Sequence, residues 1–352
     1  MKIAFLNDNH QGARQESLHF NSYFLRFFEE VFFPYCEKNN IDHVFQLGDF
    51  VDRRKFMNYV IAHSWRKKVL DRFINVEFLV GNHDVPYRNT NTPNAISELI
   101  EGRYNFPVYT SPIEKQYDGL LIGIVPWINS GNYQECVDFL TNTKAKVIFG
   151  HFEISGFEMD RGNVCYTGLD RKLFERFDKV ISGHFHTKST DGSIFYLGTQ
   201  YEITWADYND QKGFHVFDTG SLELEFIPNP LKMFHKVWYD DTTQDLNWWR
   251  GQNLAQYKDS YLKVIVTNKN NPFLFDRVID MIHRENPVEI IISEDYGNIY
   301  EASEELVNEA EDTQTIISKY IDGLTLPEHI LPEHIKKISR ELYTEALGLE
   351  LT

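Results

Sequence analysis

The chain has 352 residues and a formal net charge of −17, from 35 Lys+Arg against 52 Asp+Glu. Its hydrophobic content of 42% excludes a disordered chain, and no run approaches the roughly 20 apolar residues of a membrane-spanning helix. The acidic balance opposes binding to a polyanion, so a nucleic-acid partner would need local basic residues, cations or a second protein. The three cysteines, Cys36, Cys136 and Cys165, are scattered, which favours buried thiols. The N-terminus has no signal-peptide pattern, so a reducing cytoplasm is expected.

Short apolar runs alternate with helix-like segments from the N-terminus to about Pro228. Six runs rich in Val, Ile, Leu and Phe predict buried strands: Lys2–Asn7, His43–Leu47, Val76–Val80, Leu120–Val125, Lys146–Phe149 and Lys179–Ser182. Helical patterns such as Phe20–Lys38 and Asn58–Phe73 lie between them, which indicates α/β architecture. Three later runs predict antiparallel strands that close the sheet: Ile194–Leu197, Phe214–Asp218 and Leu222–Phe226.

The composition changes after Ile227-Pro228-Asn229-Pro230, which predicts that the first domain covers residues 1–228. A strand, helix, strand pattern follows at Tyr261–Thr267, Pro272–Arg284 and Val288–Ser293, and it predicts a small α/β domain over residues 229–300. Residues 301–352 begin with an acid-rich segment and end in a predicted helix. The apolar stripe of that helix comprises Ile335, Ile338, Leu342, Ala346 and Leu349.

Polar residues, mainly Asp, Asn and His, follow five of the predicted strands. They are Asn7-Asp8-Asn9-His10, Gly48-Asp49-Phe50-Val51-Asp52-Arg53, Gly81-Asn82-His83-Asp84, Gly150-His151 and Gly183-His184-Phe185-His186. Ligands of open α/β sheets gather at the carboxyl ends of strands, so these loops are expected to converge. Carboxylate, amide and imidazole donors without a thiolate suit manganese, iron or zinc. A lone His or Asp at a strand end is usually a cap or a surface group. Five such polar blocks in this order, each after a predicted strand, favour a metal site instead.

The spacing within two of these loops adds a conformational expectation. In Asp8-x-His10 and His184-x-His186, one residue separates the two candidate ligands. Alternate side chains point to the same side only in extended backbone, so we expect both loops to continue extended beyond their strands.

These blocks resemble the calcineurin-like metallophosphoesterases, whose ordered motifs are D-x-H, G-D-x-x-D, G-N-H-D/E, G-H and G-H-x-H. Within that superfamily the chain looks most like the recombination nucleases of the SbcD and Mre types and of T-even-type phages. Gly183–Thr187, Tyr196–Thr199 and Lys212–Phe214 carry that likeness, and Asn89–Leu99 and Pro126-Trp127 add to the phage-type likeness. The resemblance implies an α/β fold: a two-sheet sandwich flanked by helices, with a small α/β capping domain and a C-terminal helical tail.

The resemblance also implies roles for single residues. One divalent cation would be held by Asp8, His10, Asp49 and His186. A second would be held by Asp49, acting as a bridge, and by Asn82, His151 and His184. His83 would be the catalytic histidine, with Asp84 orienting its ring. Mn²⁺ is the expected metal, with Mg²⁺ as the alternative, and Asp52 receives no role because Mre-type nucleases often carry histidine there.

The function implied is a two-metal DNA nuclease, exo- or endonucleolytic, acting in recombination, repair and replication. Its expected partner is an SMC-like ATPase bound through the C-terminal segment, with Ile335, Ile338, Leu342 and Leu349 at the contact. The expected assembly is a homodimer of this chain within a heterotetramer. Arg53, Arg54 and Lys55 are candidate DNA contacts. The alternatives are a protein phosphatase with an arginine clamp at Arg53, a cyclic-nucleotide or other small-substrate diesterase, and a scaffold without catalysis.

Overall fold

The computed structural model describes residues 1–160 and 163–294, together with the isolated positions Ile321, Ile335, Lys336 and Ile338. Its strands are β1 (Lys2–Leu6), β2 (His43–Leu47), β3 (Asn75–Leu79), β4 (Val108–Tyr109), β5 (Ile113–Tyr117), β6 (Leu120–Val125), β7 (Val147–His151), β8 (Glu158–Asp160), β9 (Asn163–Val164), β10 (Lys179–Gly183), β11 (Ser189–Thr190), β12 (Ile194–Tyr196), β13 (Gly213–Asp218), β14 (Leu224–Pro228), β15 (Phe234–Asp240), β16 (Tyr261–Asn268) and β17 (Glu289–Glu294).

The α-helices are α1 (Ala13–Glu16), α2 (Leu18–Arg26), α3 (Phe33–Asn39), α4 (Tyr59–Lys68), α5 (Ala95–Ile100), α6 (Tyr133–Asn142), α7 (Leu246–Arg250) and α8 (Pro272–His283). A π-helical segment, Phe27–Phe32, joins α2 to α3. Short 3₁₀ turns lie at Leu70–Arg72, Arg171–Phe174, Trp205–Asp207 and Leu254–Tyr257. Among the described residues, no helix combines the length and the apolar composition needed to cross a bilayer.

Two six-stranded sheets form the main body of the protein. Their strand orders are β14-β13-β1-β2-β3-β4 and β11-β12-β10-β7-β6-β5. The central strands β1, β2 and β3 are parallel in the first sheet, as are β6, β7 and β10 in the second. The carboxyl ends within each parallel group therefore meet at one edge of the sheet, and the polar loops named above leave from those edges.

Side-chain alternation along β1 shows where the core lies. Ile3 and Phe5 belong to an apolar cluster that contains residues of both sheets, such as Ile124 and Phe149. Ala4 belongs to a second cluster, shared with the helices that cover the first sheet. Successive residues of a strand point to opposite faces, so each central strand is buried on both sides, as its near-continuous apolar sequence predicts.

One predicted strand pairs differently from the expectation. Ile194–Tyr196 was expected to be antiparallel, but β12 lies parallel to β10, with Val180 opposite Ile194. The chain reverses in the two-residue strand β11, which pairs antiparallel with β12. This additional reversal restores the parallel direction. The expectation of antiparallel strands is correct for β13, which pairs with β1 and β14.

A third sheet follows the sandwich, in the order β15-β16-β17, with all strands parallel. It has its own apolar cluster, which includes Leu262, Val264 and Val278. Buried Glu202 connects it to the main body, because one carboxylate oxygen accepts the backbone N–H groups of Met233 (2.6 Å) and Phe234 (2.9 Å). Most of residues 295–352 lie outside the described part, including Leu342 and Leu349; within that stretch Ile335 and Ile338 are helical, and Ile338 is 57% exposed.

Candidate metal centre

The loop after β1 places two candidate ligands by hydrogen bonding to the loop after β2. The backbone N–H of Asp8 donates to the carbonyl of Gly48 (2.9 Å), and that of His10 donates to the carbonyl of Asp49 (3.1 Å). The backbone is not extended here, because the φ angles of Asp8 and His10 are 47° and 45°. The expectation of extended backbone is therefore wrong for this loop, and also for the loop after β10, where the φ angle of His184 is 89°. The side chains of Asp8 and His10 still reach one centre.

The first group of donors consists of Asp8, His10 and His186, with one ligand atom of each within 4.8 Å of the others. The Nε2 atoms of His10 and His186 are 3.0 Å apart. His10 Nδ1 lies 3.1 Å from a carboxylate oxygen of Asp52, so Nδ1 keeps a proton, and the ring presents an Nε2 lone pair to the group once its second proton is displaced. Metal–imidazole bonds are about 2.0–2.1 Å long, so a separation of this size fits two ligands of one cation.

The second group consists of Asp49, His151 and His184, together with the side-chain carbonyl of Asn82. Asn82 Oδ1 lies 3.0 Å from His151 Nε2 and 3.0 Å from His184 Nδ1. Asp49 Oδ2 is 3.3 Å from His151 Nε2. His151 donates its Nδ1 proton to the carbonyl of Leu47 (2.7 Å), which leaves the Nε2 lone pair facing the group.

Asp49 acts electrostatically on both groups. Its charge interacts with Asp8 and His10 of the first group and with His151 of the second. Burial alone would raise the pKa of Asp49, but His151 and His83 hold that pKa well below its usual range. The carboxylate is therefore ionised, as a metal ligand must be.

The imidazoles differ in how strongly they hold protons. Burial, with neighbouring positive charge, holds the pKa values of His184 and His186 well below the usual range, so both rings are neutral donors. Burial also opposes a charge on His10 and His151, but Asp52 raises the pKa of His10 to about 10, and Asp49 raises that of His151 to about 9. Cation binding at these two rings therefore displaces protons.

Two glycines allow the loops to approach this closely. A Cβ atom at Gly48, where φ is 90°, would lie 2.5 Å from His151 Nδ1. A Cβ atom at Gly81 would overlap the carboxylate of Asp49. Gly48 is thus needed where a strand end of the first sheet meets one of the second, and Gly81 where the loops after β2 and β3 meet.

Asp84 does not orient His83 in the way that the sequence led us to expect. His83 Nδ1 donates instead to the backbone carbonyl of Asp52 (2.7 Å). The buried carboxylate of Asp84 points back between the loops and accepts three backbone N–H groups, those of Gly81 (2.8 Å), Asp49 (2.9 Å) and Val51 (3.1 Å). Asp84 therefore holds the loops after β2 and β3 together, and a backbone carbonyl fixes the His83 ring.

The sequence did not identify two further residues around the candidate ligands. Asp52 contacts His10 through its side chain and His83 through its carbonyl. Buried Lys212 donates to the carbonyl of His186 (2.8 Å) and pairs with the carboxylates of Asp207 (2.6 Å) and Asp210 (2.9 Å). Its only sequence signal was its place in the block Lys212–Phe214.

The three basic residues expected to contact DNA have different surroundings. Arg53 and Lys55 are exposed, and the Arg53 guanidinium lies 5.1 Å from the centre of the Phe56 ring. Arg54 is partly buried and close enough to Asp49 for electrostatic interaction. Burial, together with the charge of Arg88, lowers the pKa of Arg54. Arg54 therefore interacts electrostatically with a residue of the candidate metal centre.

The chain is similar in sequence to known proteins. The model of the calcineurin-like phosphoesterase family matches residues 1–188. The chain belongs to this family. It is 30% identical over 354 residues to exonuclease subunit 1 of Enterobacteria phage T4, covering 98% of this chain and 99% of that protein. It is 22% identical over 227 residues to the SbcD subunit of nuclease SbcCD from Staphylococcus saprophyticus, covering 58% of this chain and 55% of that protein.

Among solved structures, an archaeal phosphodiesterase aligns with 65% of this chain and 100% of its own, at 14% identity and a TM-score of 0.32. The calcineurin-like phosphoesterase assignment agrees with the chemistry of the site. Both groups contain carboxylate and imidazole donors, the second adds the amide of Asn82, and all lie at the carboxyl ends of the parallel strands of the two sheets. Such donors suit divalent cations.

Proposed function

We propose that this calcineurin-like phosphoesterase is a DNA nuclease that hydrolyses phosphodiester bonds with two divalent cations. The observation that carries the proposal is the pair of donor groups, with the charge of Asp49 acting on both and the backbone N–H of His83 donating to Asp49. The names of two relatives, an exonuclease subunit and a nuclease subunit, support DNA as the substrate.

In this proposal Asp8, His10, Asp49 and His186 hold one cation, and Asp49, Asn82, His151 and His184 hold the other. When bound, a pair of cations neutralises phosphate oxygens and lowers the pKa of a bound water enough to supply hydroxide near neutral pH. Mn²⁺ is the proposed metal, with Mg²⁺ as the alternative. Asp52 keeps the Nδ1 proton on His10 and so directs the Nε2 lone pair toward the first site.

His83 is the proposed catalytic histidine. The ring centroids of His83 and His10 are 4.8 Å apart, which places His83 beside the first donor group. Because Nδ1 donates to the carbonyl of Asp52, the ring cannot turn freely, and Nε2 is the atom left to meet substrate. A protonated Nε2 donates to the leaving oxygen as the ester bond breaks, which stabilises the developing alkoxide.

The net charge of −17 makes DNA binding depend on local features. Arg54, close to Asp49, is proposed to contact the phosphate next to the one that is cut, with Arg53 and Lys55 at the rim.

A second subunit, an SMC-like ATPase, is proposed to supply most of the DNA-binding surface in the cytoplasm, within a heterotetramer built on a homodimer. We place the ATPase contact in residues 301–352, after a capping domain at residues 229–300. Deleting the residues after Asp312 should abolish this complex and leave metal binding intact; unchanged complex formation would refute the docking role.

The test is a hydrolysis assay on linear and circular DNA, a cyclic nucleotide and a phosphoprotein, with Mn²⁺, with Mg²⁺ and with a chelator. DNA cleavage that needs the metal is expected, and Asp49→Asn should abolish both cleavage and stoichiometric metal binding. Asp178→Asn, at an exposed aspartate, is the matched control and should cleave as the wild type does. Turnover of only the phosphoprotein or the cyclic nucleotide would overturn the proposal in favour of the other branches of the family.

A further inference from the structure

Trp127 stands at the edge of the second donor group. It follows β6 by two residues, and β6 is the parallel neighbour of β7, which ends in His151. The indole lies 5.1 Å from the ring centroid of His184 and 6.0 Å from that of His151. Trp127 is partly exposed, so an aromatic side chain at the candidate metal centre is accessible in part.

Two neighbouring residues show that this position is not ordinary core packing. Ile128, the next residue, packs against the apolar cluster that covers the second sheet. Phe185 also lies 5.1 Å from the ring centroid of His184, but it is only 2% exposed and belongs to that cluster. Trp127 differs from both because it contacts the histidines and remains accessible.

A group of asparagine side chains fixes the backbone of Trp127. The Nδ2 groups of Asn91 and Asn132 donate to the Trp127 carbonyl at 2.9 Å and 3.0 Å, and Asn129 donates to Asn91 at 3.0 Å. The Trp127 N–H donates to the carbonyl of Val80 (2.8 Å), which immediately precedes Gly81 and Asn82. The backbone that carries the indole is therefore held in register with the loop that carries a candidate ligand, and little entropy is left to lose when a ligand binds.

We propose that the indole of Trp127 stacks on the base of a nucleotide whose phosphate is bound at the metal centre. This inference rests on the proposed nuclease function and adds a specificity-determining residue to it. Every base has a flat π face, so stacking tolerates any sequence. A base inside a duplex already stacks on its neighbours, so Trp127 favours nucleotides at strand ends or in single strands.

The experiment pairs a change in the protein with a change in the substrate. Wild type and Trp127→Leu are compared on an oligothymidylate and on an abasic oligomer of the same length, both single-stranded, with Mn²⁺. Base–aromatic stacking of ordinary strength predicts that the variant loses about 5- to 100-fold in kcat/KM on the oligothymidylate. On the abasic oligomer the two proteins should agree within about twofold, because no base is present to stack.

Two further variants separate stacking from a structural role. Trp127→Phe keeps an aromatic face and should lose less activity on the oligothymidylate than Trp127→Leu. Trp248→Leu removes a 42% exposed tryptophan from α7, far along the chain in the third sheet unit, and should behave as the wild type does. The manganese content of each protein is measured in parallel and is expected to be unchanged.

Each alternative outcome would overturn the stacking proposal, the proposed nuclease function, or both. Equal losses on the two oligomers, or a loss of bound manganese in Trp127→Leu, would show that the indole only supports the histidines and would overturn the stacking proposal. Full activity of Trp127→Leu on the oligothymidylate would overturn it as well. Wild-type protein that cuts linear or circular DNA but neither oligomer would overturn the inference alone, whereas wild-type protein that cuts none of these DNAs would overturn the proposed nuclease function and the inference with it.

Discussion

Replacing Asp84 by asparagine tests two possible roles of this residue. The structure shows that Asp84 holds the loops after β2 and β3 together, whereas its place after His83 implies that it orients the His83 ring. The carboxylate of Asp84 is fully buried and accepts three backbone N–H groups from the loops after β2 and β3. Asparagine keeps the shape but offers one oxygen and one NH₂ group. If that oxygen takes over the bonds to Gly81 and Asp49, the NH₂ group faces the N–H of Val51, and two donors are left opposed.

The expected cost follows from this count of hydrogen bonds. Each of the two opposed donors costs about 1–3 kcal/mol if it lacks an acceptor, and the neutral amide recovers part of the total because it costs less to bury than a carboxylate. We therefore expect Asp84→Asn to lower the free energy of unfolding by about 2 kcal/mol. Because the N–H of Asp49 belongs to the same set of bonds, metal affinity should fall by about 10- to 100-fold, as for other residues that orient ligands.

The assay combines urea unfolding, manganese titration and cleavage of DNA at saturating manganese. Once metal is saturating, kcat of Asp84→Asn should stay within about tenfold of the wild type, because a carbonyl of Asp52, not Asp84, holds the His83 ring. Asp178→Asn is the control for the loss of one negative charge. A large drop in kcat at saturating metal, with unchanged stability and affinity, would refute the reasoning and restore Asp84 as the residue that acts through His83.

Three other substitutions test separate parts of the structure. His83→Ala should retain both metals and lose about 10²- to 10⁴-fold in turnover. Metal analysis and DNA cleavage measure this, with His19→Ala, at an exposed histidine, as the control. Full activity of His83→Ala would exclude a catalytic role. Lys212→Met leaves the buried carboxylate of Asp207 and the partly buried carboxylate of Asp210 without their cation, so urea unfolding should show a loss of about 3–5 kcal/mol. Metal binding should also weaken, because the carbonyl of His186 loses its donor; a stability equal to the wild type would contradict the role of the buried Lys212–Asp207 pair. His215 is buried, and burial, with the charge of Lys188, lowers its pKa to about 3. Since its pKa in the unfolded chain is about 6.5, its contribution to stability is present near pH 7 and is lost as the pH falls from 6.5 toward 3, by about 2 kcal/mol between pH 7 and pH 5. His215→Leu should therefore be less acid-sensitive than the wild type in urea unfolding at these two pH values, and equal sensitivity would rule out this assignment.

Much of the sandwich could be predicted because its central strands are buried on both faces. Such strands read as continuous apolar runs that stop at glycine or a polar residue, and β2 has the bounds expected from the sequence alone. Strands of two or three residues, such as β8 and β11, carry no such signal, because their pairing depends on where the rest of the chain brings them. The π-helical segment Phe27–Phe32 lies inside a predicted helix, and nothing in its composition distinguishes it from ordinary α-helix.

The candidate ligands could be named from the sequence because each follows a strand end. Their local conformation could not, since it depends on contacts between loops that are distant in the chain. Asp8, His10, Asp49 and His184 all have positive φ angles (47°, 45°, 54° and 89°), which non-glycine residues adopt at some cost in energy. The partner of His83 was hidden for the same reason, because a backbone carbonyl leaves no trace in the amino-acid sequence.

The candidate ligands come from both halves of the sandwich: four from the loops after β1, β2 and β3, and three from β7 and the loop after β10. Ions bound there would join the two sheets at one edge, in addition to the backbone hydrogen bond from Trp127 to Val80. Binding that is specific to the folded protein adds to stability as the ion concentration rises above the dissociation constant. Chelation would then loosen the architecture as well as stop the chemistry, and the protein's resistance to heat would depend on the supply of metal around it.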